Sequence, residues 1–110
     1  MMDRLDPTAT ERLKTMVADI APELVDFVVN FAYGEIMGRE GLDLETRELC
    51  IIASLTAMGC EPELKMHLRK CLHLQIPHEK IKEVLLQQIV YAGFPRAINA
   101  LMCFKEVLEQ

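Results

Sequence analysis

Glycine and proline divide this chain into short segments, and their positions constrain the fold more than any other feature. Gly59 and Pro62 separate two apolar segments, and Gly93 and Pro95 separate two more. Glycine is favoured just after a helix and proline in its first turn, so each pair predicts a helix end closely followed by a helix start. No alternation of apolar and polar residues lasts long enough to compete as a strand. The sequence therefore predicts an all-α domain of about six short helices.

Apolar periodicity sets the approximate bounds of these helices. Thr8 and Glu11 have the spacing of a capping box, which would open the first helix. Gly93 supplies a positive φ after the fifth helix. The predicted helices run from about Thr8 to Ala21, Pro22 to Ile36, Leu44 to Met58, Pro62 to Leu74, Pro77 to Ala92 and Pro95 to Glu109.

Two of these helices have distinctive apolar patterns. The third has almost no charge between Leu49 and Ala57, so we expect it to be the most buried helix. The second has apolar residues at the spacing of one helical face. That face is formed by Leu24, Phe27, Val28, Phe31 and Ala32.

The composition narrows the classes of function. A chain of 110 residues is one domain, and its 51% hydrophobic content with only 5% aromatics and no Trp suits a helical core with apolar surface buried between subunits. The net charge of −5 argues against a nucleic-acid partner. No apolar run approaches the roughly 18 residues of a membrane span, and the N-terminus lacks an apolar signal segment. We therefore expect a cytoplasmic protein with no membrane partner.

Two carboxylates and an imidazole form the main candidate site. Glu63 and His67 are four residues apart, so on a helix they share one face. A carboxylate beside an imidazole can hold it in one tautomer and prepare it for proton transfer. The alternative is a surface Glu–His pair on a solvated helix. Two consecutive helical hairpins would bring Glu48 toward the His67 face.

Five segments of the chain resemble the carboxymuconolactone decarboxylase family and its relatives, the alkylhydroperoxidase D-like proteins. They lie between about Pro22 and Leu108 in the family's order and spacing. The resemblance therefore assigns residues 22–110 to a helical domain of this family, whereas residues 1–21, an N-terminal helix, match it least. It implies an alkylhydroperoxidase D-like fold, a homo-oligomer that is a trimer or a hexamer, and no cofactor. In the left-handed turn after the fourth helix, where the family usually has a glycine, this chain has Gln75 or Ile76. The segments are residues 31–34, 39–43, 46–49, 63–67 and 91–100.

The resemblance also distinguishes two kinds of chemistry. The hydroperoxidase branch carries a Glu, a Cys-x-x-Cys and a His, and Glu48, Cys60 and His67 match three of these four positions. Glu63 stands where the second thiol would be. A carboxylate cannot form a disulfide, so the two-thiol redox cycle is unavailable and the resemblance favours the decarboxylase branch.

In the decarboxylase interpretation the substrate is a small anionic lactone or keto acid. His67 would donate the proton, Glu63 would orient the imidazole, and Glu48 would position substrate or water. Arg39 and Arg47 are candidates for binding the substrate carboxylates, because guanidinium groups bind carboxylates bidentately. Arg47 has an alternative as the ion-pair partner of Glu48, and Arg39 as a solvated or interface residue.

Two alternatives to the lyase remain at this point. One is a peroxide-reducing oxidoreductase that uses Cys60, a thiol near a helix N-terminus, with Cys71 as a candidate resolving thiol. The other is an oligomeric binding protein without catalysis. A metal site is not predicted, because Glu63, His67, Cys71 and His73 show no recognised zinc spacing.

Overall fold

The computed structural model describes residues 8–110, which are helical throughout with short connections and contain no strand. This confirms the predicted all-α class. We name the helices α1 to α6, with α2 beginning as an α-helix and continuing as a π-helix. They span Ala9–Val17 (α1), Pro22–Asp26 and Phe27–Ile36 (α2), Leu44–Met58 (α3), Glu61–His73 (α4), His78–Ala92 (α5) and Phe94–Leu108 (α6).

The helix ends in the second half of the chain follow the predicted signals. α3 has the predicted bounds, Leu44–Met58. After α4 the left-handed turn falls on Gln75, whose φ is 60°, and after α5 it is Gly93 that takes a φ of 93°. Both predictions of a positive φ are therefore confirmed, and they show that local turn chemistry sets these boundaries.

The first helix differs from its prediction at both ends. It ends at Val17 instead of Ala21, and the Thr8 side chain makes no capping hydrogen bond. The Thr8 backbone has a ψ of 4°, far from the extended conformation that aims a cap side chain at the first-turn N–H groups. Its hydroxyl instead accepts a hydrogen bond from the Arg12 guanidinium. The predicted capping box is wrong for this reason.

The second helix also departs from its predicted face. Residues Phe27–Ile36 wind as a π-helix, which ends with the Met37 N–H donating to the Ala32 carbonyl, five residues earlier. In such a winding, residues three apart no longer align on one face as they do in an α-helix. Leu24, Phe27 and Phe31 are exposed in the single chain, whereas Val28 and Ala32 are half-buried.

The chain divides into two compact units, Met1–Leu44 and Glu45–Gln110. In the first unit, α1 packs on α2. The second unit holds a hydrophobic core, in which α6 packs against both α4 and α5. The core residues of this unit are Ile52, Leu64, Leu68, Cys71, Ile76, Ile81, Leu85, Ala100, Cys103, Phe104 and Val107.

α6, not α3, contributes most to this core. It buries five residues, whereas α3 buries only Glu48, Ile52 and Thr56. The uncharged run in α3 includes Ala57 and ends next to Met58, and both of these side chains are exposed in the single chain. The prediction that α3 is the most buried helix is therefore wrong. Its apolar run extends around more than one face of the helix, and the residues on the outer face are not covered by other helices of the single chain.

Polar contacts fix α4 alongside α6. Lys65 pairs with Glu106 at 2.6 Å, and one turn farther along α4 the Arg69 Nε donates to the Gln110 side chain at 2.8 Å. Arg69 follows Lys65 in the sequence, and its partner Gln110 likewise follows Glu106. The two helices therefore run in the same direction. Each exposed contact is worth little alone, but the pair sets the register of the helix that carries His67.

None of the helices formed by residues 8–110 is both long and apolar enough to cross a membrane.

Candidate functional site

Glu48 is a charged residue in the middle of an apolar face. It lies on α3 four residues before Ile52, which itself precedes Thr56 by four, and all three are buried. Residues at this spacing lie above one another on a helix, so the fold that buries Ile52 also takes Glu48 out of water. A fully buried carboxylate is costly unless hydrogen bonds compensate it, and such groups concentrate at functional sites.

His67 provides that compensation from the next helix. Its Nδ1 lies 2.8 Å from Glu48 Oε1, across 19 residues of sequence. A carboxylate oxygen can only accept, so Nδ1 carries the proton and donates it in this hydrogen bond. The ring is held in one orientation with Nε2 left for chemistry. Its side chain is 15% exposed, which keeps the imidazole partly accessible to water and small molecules.

The second oxygen of Glu48 has no hydrogen-bond partner in residues 8–110. Oε2 is buried there, while Oε1 makes the bond to His67. The imidazole is thus the one hydrogen-bonding group that these residues offer the carboxylate. A positive ring at 2.8 Å would be strongly attracted to it, since water screens such a buried pair weakly.

Glu63 lies one turn before His67 on α4, but it does not make the contact that the spacing predicted. Its side chain is exposed, and within residues 8–110 it takes part in no hydrogen bond or ion pair. The orienting contact belongs to Glu48, because the ring turns inward toward α3 while Glu63 faces outward. A residue four positions earlier on the same helix can make such a contact, but the spacing alone does not ensure it.

The thiols are placed unfavourably for a two-cysteine cycle. Cys60 is the partly exposed N-cap residue of α4, and Cys71 is fully buried near the other end. Eleven residues of helix separate them by about 16 Å, far beyond the reach of a disulfide. Burial, reinforced by the Glu48 charge, also raises the pKa of Cys71 to about 12. Cys71 is therefore a protonated, inert thiol at neutral pH, and its role as a resolving thiol is unsupported.

The two arginines predicted to bind substrate lie in different units. Arg39 is exposed in the loop that follows α2 in the first unit. Arg47 precedes Glu48 on α3 and is partly buried. Both take part in interactions with other residues. Their assignment to substrate remains a prediction.

Lys70 is a charged residue that the sequence analysis missed. It lies on α4 three residues after His67 and is fully buried, with its charge opposing the rise in the pKa of Cys71. The available signal was its place between Leu68 and Cys71, on the inward side of an amphipathic helix. Lys70 and Glu48 are both fully buried and both charges act on the Cys71 thiol, which makes this region strongly charged for a helical core.

No group of three or more His, Cys, Asp or Glu side chains that could hold a metal ion occurs in the part of the chain that the structure describes. The donor set at this site is one imidazole and one carboxylate, already joined to each other. It is suited to proton transfer.

Comparison with known sequences agrees with this arrangement. The sequence model of the Carboxymuconolactone decarboxylase family matches residues 22–106, which is most of the chain. The chain belongs to the carboxymuconolactone decarboxylase family. The family match extends over both compact units, so the family's domain is larger than the unit that holds the Glu48–His67 pair.

Individual relatives support an enzyme. The chain is similar to 4-carboxymuconolactone decarboxylase of Acinetobacter baylyi, with 38% identity over 83% of the chain and 68% of the relative. It is 25% identical to nitrosuccinic acid decarboxylase of Metarhizium robertsii over 76% of the chain and 58% of the relative. An uncharacterized 15.0 kDa protein of Paracoccus denitrificans is 29% identical over 91% of the chain and 71% of the relative. This member of the family is thus related to proteins named as decarboxylases.

Proposed function

We propose that this protein is a decarboxylase of small anionic lactone or keto acids, and that His67 delivers the proton that replaces the lost CO₂. The observation that carries the proposal is the 2.8 Å hydrogen bond between buried Glu48 and His67 Nδ1. It leaves Nε2 of a partly exposed ring as the group able to exchange a proton.

The reaction requires little beyond positioning and a proton. The bond between the carboxylate carbon and the ring carbon breaks, and its electron pair delocalises through the ring double bond onto the lactone carbonyl. A proton from Nε2 of the His67 imidazolium then bonds to the ring carbon next to the lactone carbonyl, which leaves the double bond at the carbon that lost CO₂, and the neutral ring takes up another proton from water. Each turnover releases one CO₂ and consumes one proton from solvent.

Glu48 serves in this scheme as a positioning residue. Its Oε1 fixes the ring, and its negative charge stabilises the imidazolium that must form before each turnover. Glu63 lies on the His67 face one turn earlier and is exposed, so we assign it to contact with water or with an uncharged part of the substrate instead of with the ring. Arg39 and Arg47 remain candidates for the substrate carboxylates.

The names of the relatives support the substrate class. 4-Carboxymuconolactone and nitrosuccinic acid have different skeletons, but both are small acids whose carbanion after loss of CO₂ is stabilised by an adjacent π system. A positioned acid and a charge-stabilising pocket would serve either compound. The 38% identity to the first relative makes a lactone acid the first substrate to test.

The experiment measures turnover of 4-carboxymuconolactone by wild-type protein and by the His67→Gln and Cys60→Ser variants. We expect His67→Gln to lower kcat by about 10²- to 10⁴-fold, the usual contribution of a general acid. Cys60→Ser should retain activity. In D₂O the wild-type product should contain one deuterium at the ring carbon next to the lactone carbonyl, where the delocalised electron pair takes up the proton. No turnover by wild type, or full turnover by His67→Gln, would refute the proposal.

The same three proteins test the redox alternative. Each is offered an organic hydroperoxide and a dithiol. Hydroperoxide reduction that disappears in Cys60→Ser would establish thiol chemistry at Cys60. The separation and burial of Cys71 exclude it as the resolving thiol, so any such turnover would have to proceed through Cys60 and the added dithiol.

We also propose that the protein acts as a homo-oligomer, as a trimer or a hexamer. Support comes from the apolar side chains that α5 and α6 leave exposed in the single chain. Their number is high for a small domain, and such patches on a monomer mark interaction surfaces. They are Val90, Tyr91, Phe94, Ile98 and Met102. Sedimentation of the purified protein tests this state directly.

A further inference from the structure

Arg96 lies in the first turn of α6, and its guanidinium covers the backbone of Gly59, between α3 and α4. A Cβ built on Gly59 would lie 2.6 Å from Arg96 Cζ, so only glycine leaves room for this packing. The guanidinium thus lies at the N-terminal end of α4, next to the N-cap residue Cys60. Arg96 belongs to none of the candidate assignments made above.

The donors of Arg96 are uncommitted. In residues 8–110 its guanidinium takes part in no hydrogen bond or ion pair. Most other cations of the second unit are already engaged. The pairs are Lys65 with Glu106, Arg69 with Gln110, Lys80 with Glu45 and Lys82 with Glu79, and Arg47 and Lys70 also have interactions. Lys105 is the other cation of this unit without such a contact in the described part of the chain.

The position of Arg96 relates it to the proposed site. Cys60, Glu63 and His67 follow one another at spacings of three and four residues, so they lie on one side of α4. Seven residues of helix place position 60 about 10 Å from position 67 along the axis. A small acid that presents its reacting carbon to His67 can extend a second carboxylate toward the guanidinium at that end.

The charge near that end makes a cation necessary. The first turn of α4 carries Glu61 and Glu63, both exposed. These carboxylates would repel an anionic substrate that approaches along this side of the helix. A guanidinium at this end offsets them and, as a planar fork, binds a carboxylate through two hydrogen bonds.

We infer that Arg96 binds the substrate carboxylate that is retained in the product, and so selects acids with a second carboxylate. The inference rests on the proposed decarboxylase function. It assigns to Arg96 binding of the substrate and no part in the proton transfer.

The test compares Arg96→Gln, Arg96→Lys and the matched control Lys105→Gln with 4-carboxymuconolactone as substrate. Loss of a charged, bidentate contact should raise KM about 10- to 100-fold in Arg96→Gln while kcat changes much less. Arg96→Lys should fall between wild type and Arg96→Gln, because lysine keeps the charge but not the fork. The control should keep the wild-type KM. A KM of Arg96→Gln within about twofold of the control would overturn the inference and leave the proposed function intact.

A binding measurement separates the two proposals if turnover is not observed. Calorimetry with propane-1,2,3-tricarboxylate, an unreactive polycarboxylate, gives Kd for the same variants. Tighter binding to wild type than to Arg96→Gln, with the control equal to wild type, supports the role of Arg96 even though the proposed reaction has failed. Equal affinities, or no binding to wild type, overturn it.

Discussion

Glu48 Oε1 and His67 Nδ1 lie 2.8 Å apart, although 19 residues separate them in the sequence. The carboxylate is fully buried and the imidazole is partly exposed, so the pair connects the core of the second unit to its surface. This asymmetry assigns different tasks to its two members. The buried residue sets orientation and charge, and the partly exposed residue exchanges protons.

Replacing Glu48 by glutamine should reduce activity more than the same replacement of Glu63. The amide that Glu48→Gln introduces lacks the negative charge that stabilises the imidazolium, and its NH₂ group can point toward the ring. We expect kcat to fall about 100-fold or more in Glu48→Gln and less than about tenfold in Glu63→Gln. Steady-state kinetics on 4-carboxymuconolactone measures both. Equal losses would mean that contact with the ring is not what matters.

Removing the imidazole should destabilise the fold, because it strands a buried carboxylate. His67→Ala is expected to lower the free energy of unfolding by about 1–3 kcal/mol. Adding Glu48→Gln to His67→Ala should recover part of that loss, since a neutral amide is cheaper to bury than an unpaired charge. Urea denaturation measures both variants.

His73→Ala is the matched control for the comparison of His67→Ala with the double variant. It removes an exposed imidazole from the same helix and should change the free energy of unfolding by less than about 0.5 kcal/mol. If the double variant is no more stable than His67→Ala, the burial of Glu48 is not the source of the loss.

The buried thiol of Cys71 should make the protein less stable at high pH. Its pKa is raised from 9.0 to about 12, so between these values the unfolded chain loses the thiol proton while the folded chain keeps it. The unfolded state then binds fewer protons, and stability falls by about 1.4 kcal/mol per pH unit above about pH 9. Below that pH this contribution is fully present.

Chemical denaturation at about pH 8 and about pH 10 measures this loss, since the two values lie on either side of the pKa of an unfolded thiol. Cys71→Ala should show a smaller decrease between the two pH values than wild type, although burial also raises the pKa of Cys103 and leaves part of the decrease. Cys50→Ala, which removes an exposed thiol, should keep the wild-type dependence. An unchanged decrease in Cys71→Ala would show that this thiol is not the group responsible.

Gly59→Ala should destabilise the junction between α3 and α4 for two reasons. Its φ of 73° strains any residue with a Cβ, and the added methyl overlaps the Arg96 guanidinium. We expect a loss of about 1–3 kcal/mol in thermal or urea unfolding. Gly41→Ala is the control, because no atom lies within 4 Å of its Cβ position. The loss should shrink, but not vanish, when Arg96→Ala removes the overlap.

The sequence predicts the second half of the fold well, because local chemistry decides its helix ends. Gly93 and Gln75 take positive φ values where the pattern requires them. The first half is predicted less well. Thr8 has the residue type of a cap but not its backbone conformation, and the π-helical winding of Phe27–Ile36 removes the face that the α-helical period implies. Neither property is encoded in spacing alone.

The candidate site was likewise predicted from the sequence only in part. The approach of Glu48 to the His67 face could be predicted, because the two residues lie on consecutive helices that a short connection folds against each other. The choice of Glu48 over Glu63 as the partner of the imidazole depends on which way the ring turns, and this is set by tertiary packing. Lys70 was missed because a lysine within an amphipathic pattern is usually solvent-facing.

The connection between the two halves of the catalytic pair has one more consequence. Only Gly59 and Cys60 separate α3, which carries the carboxylate, from α4, which carries the imidazole. Because each helix is stiff, the backbone conformation of this two-residue connection determines how far the Glu48 carboxylate lies from the His67 imidazole. Substitutions that change the backbone at Gly59, remote from any reacting atom, should therefore alter turnover by changing the angle between α3 and α4.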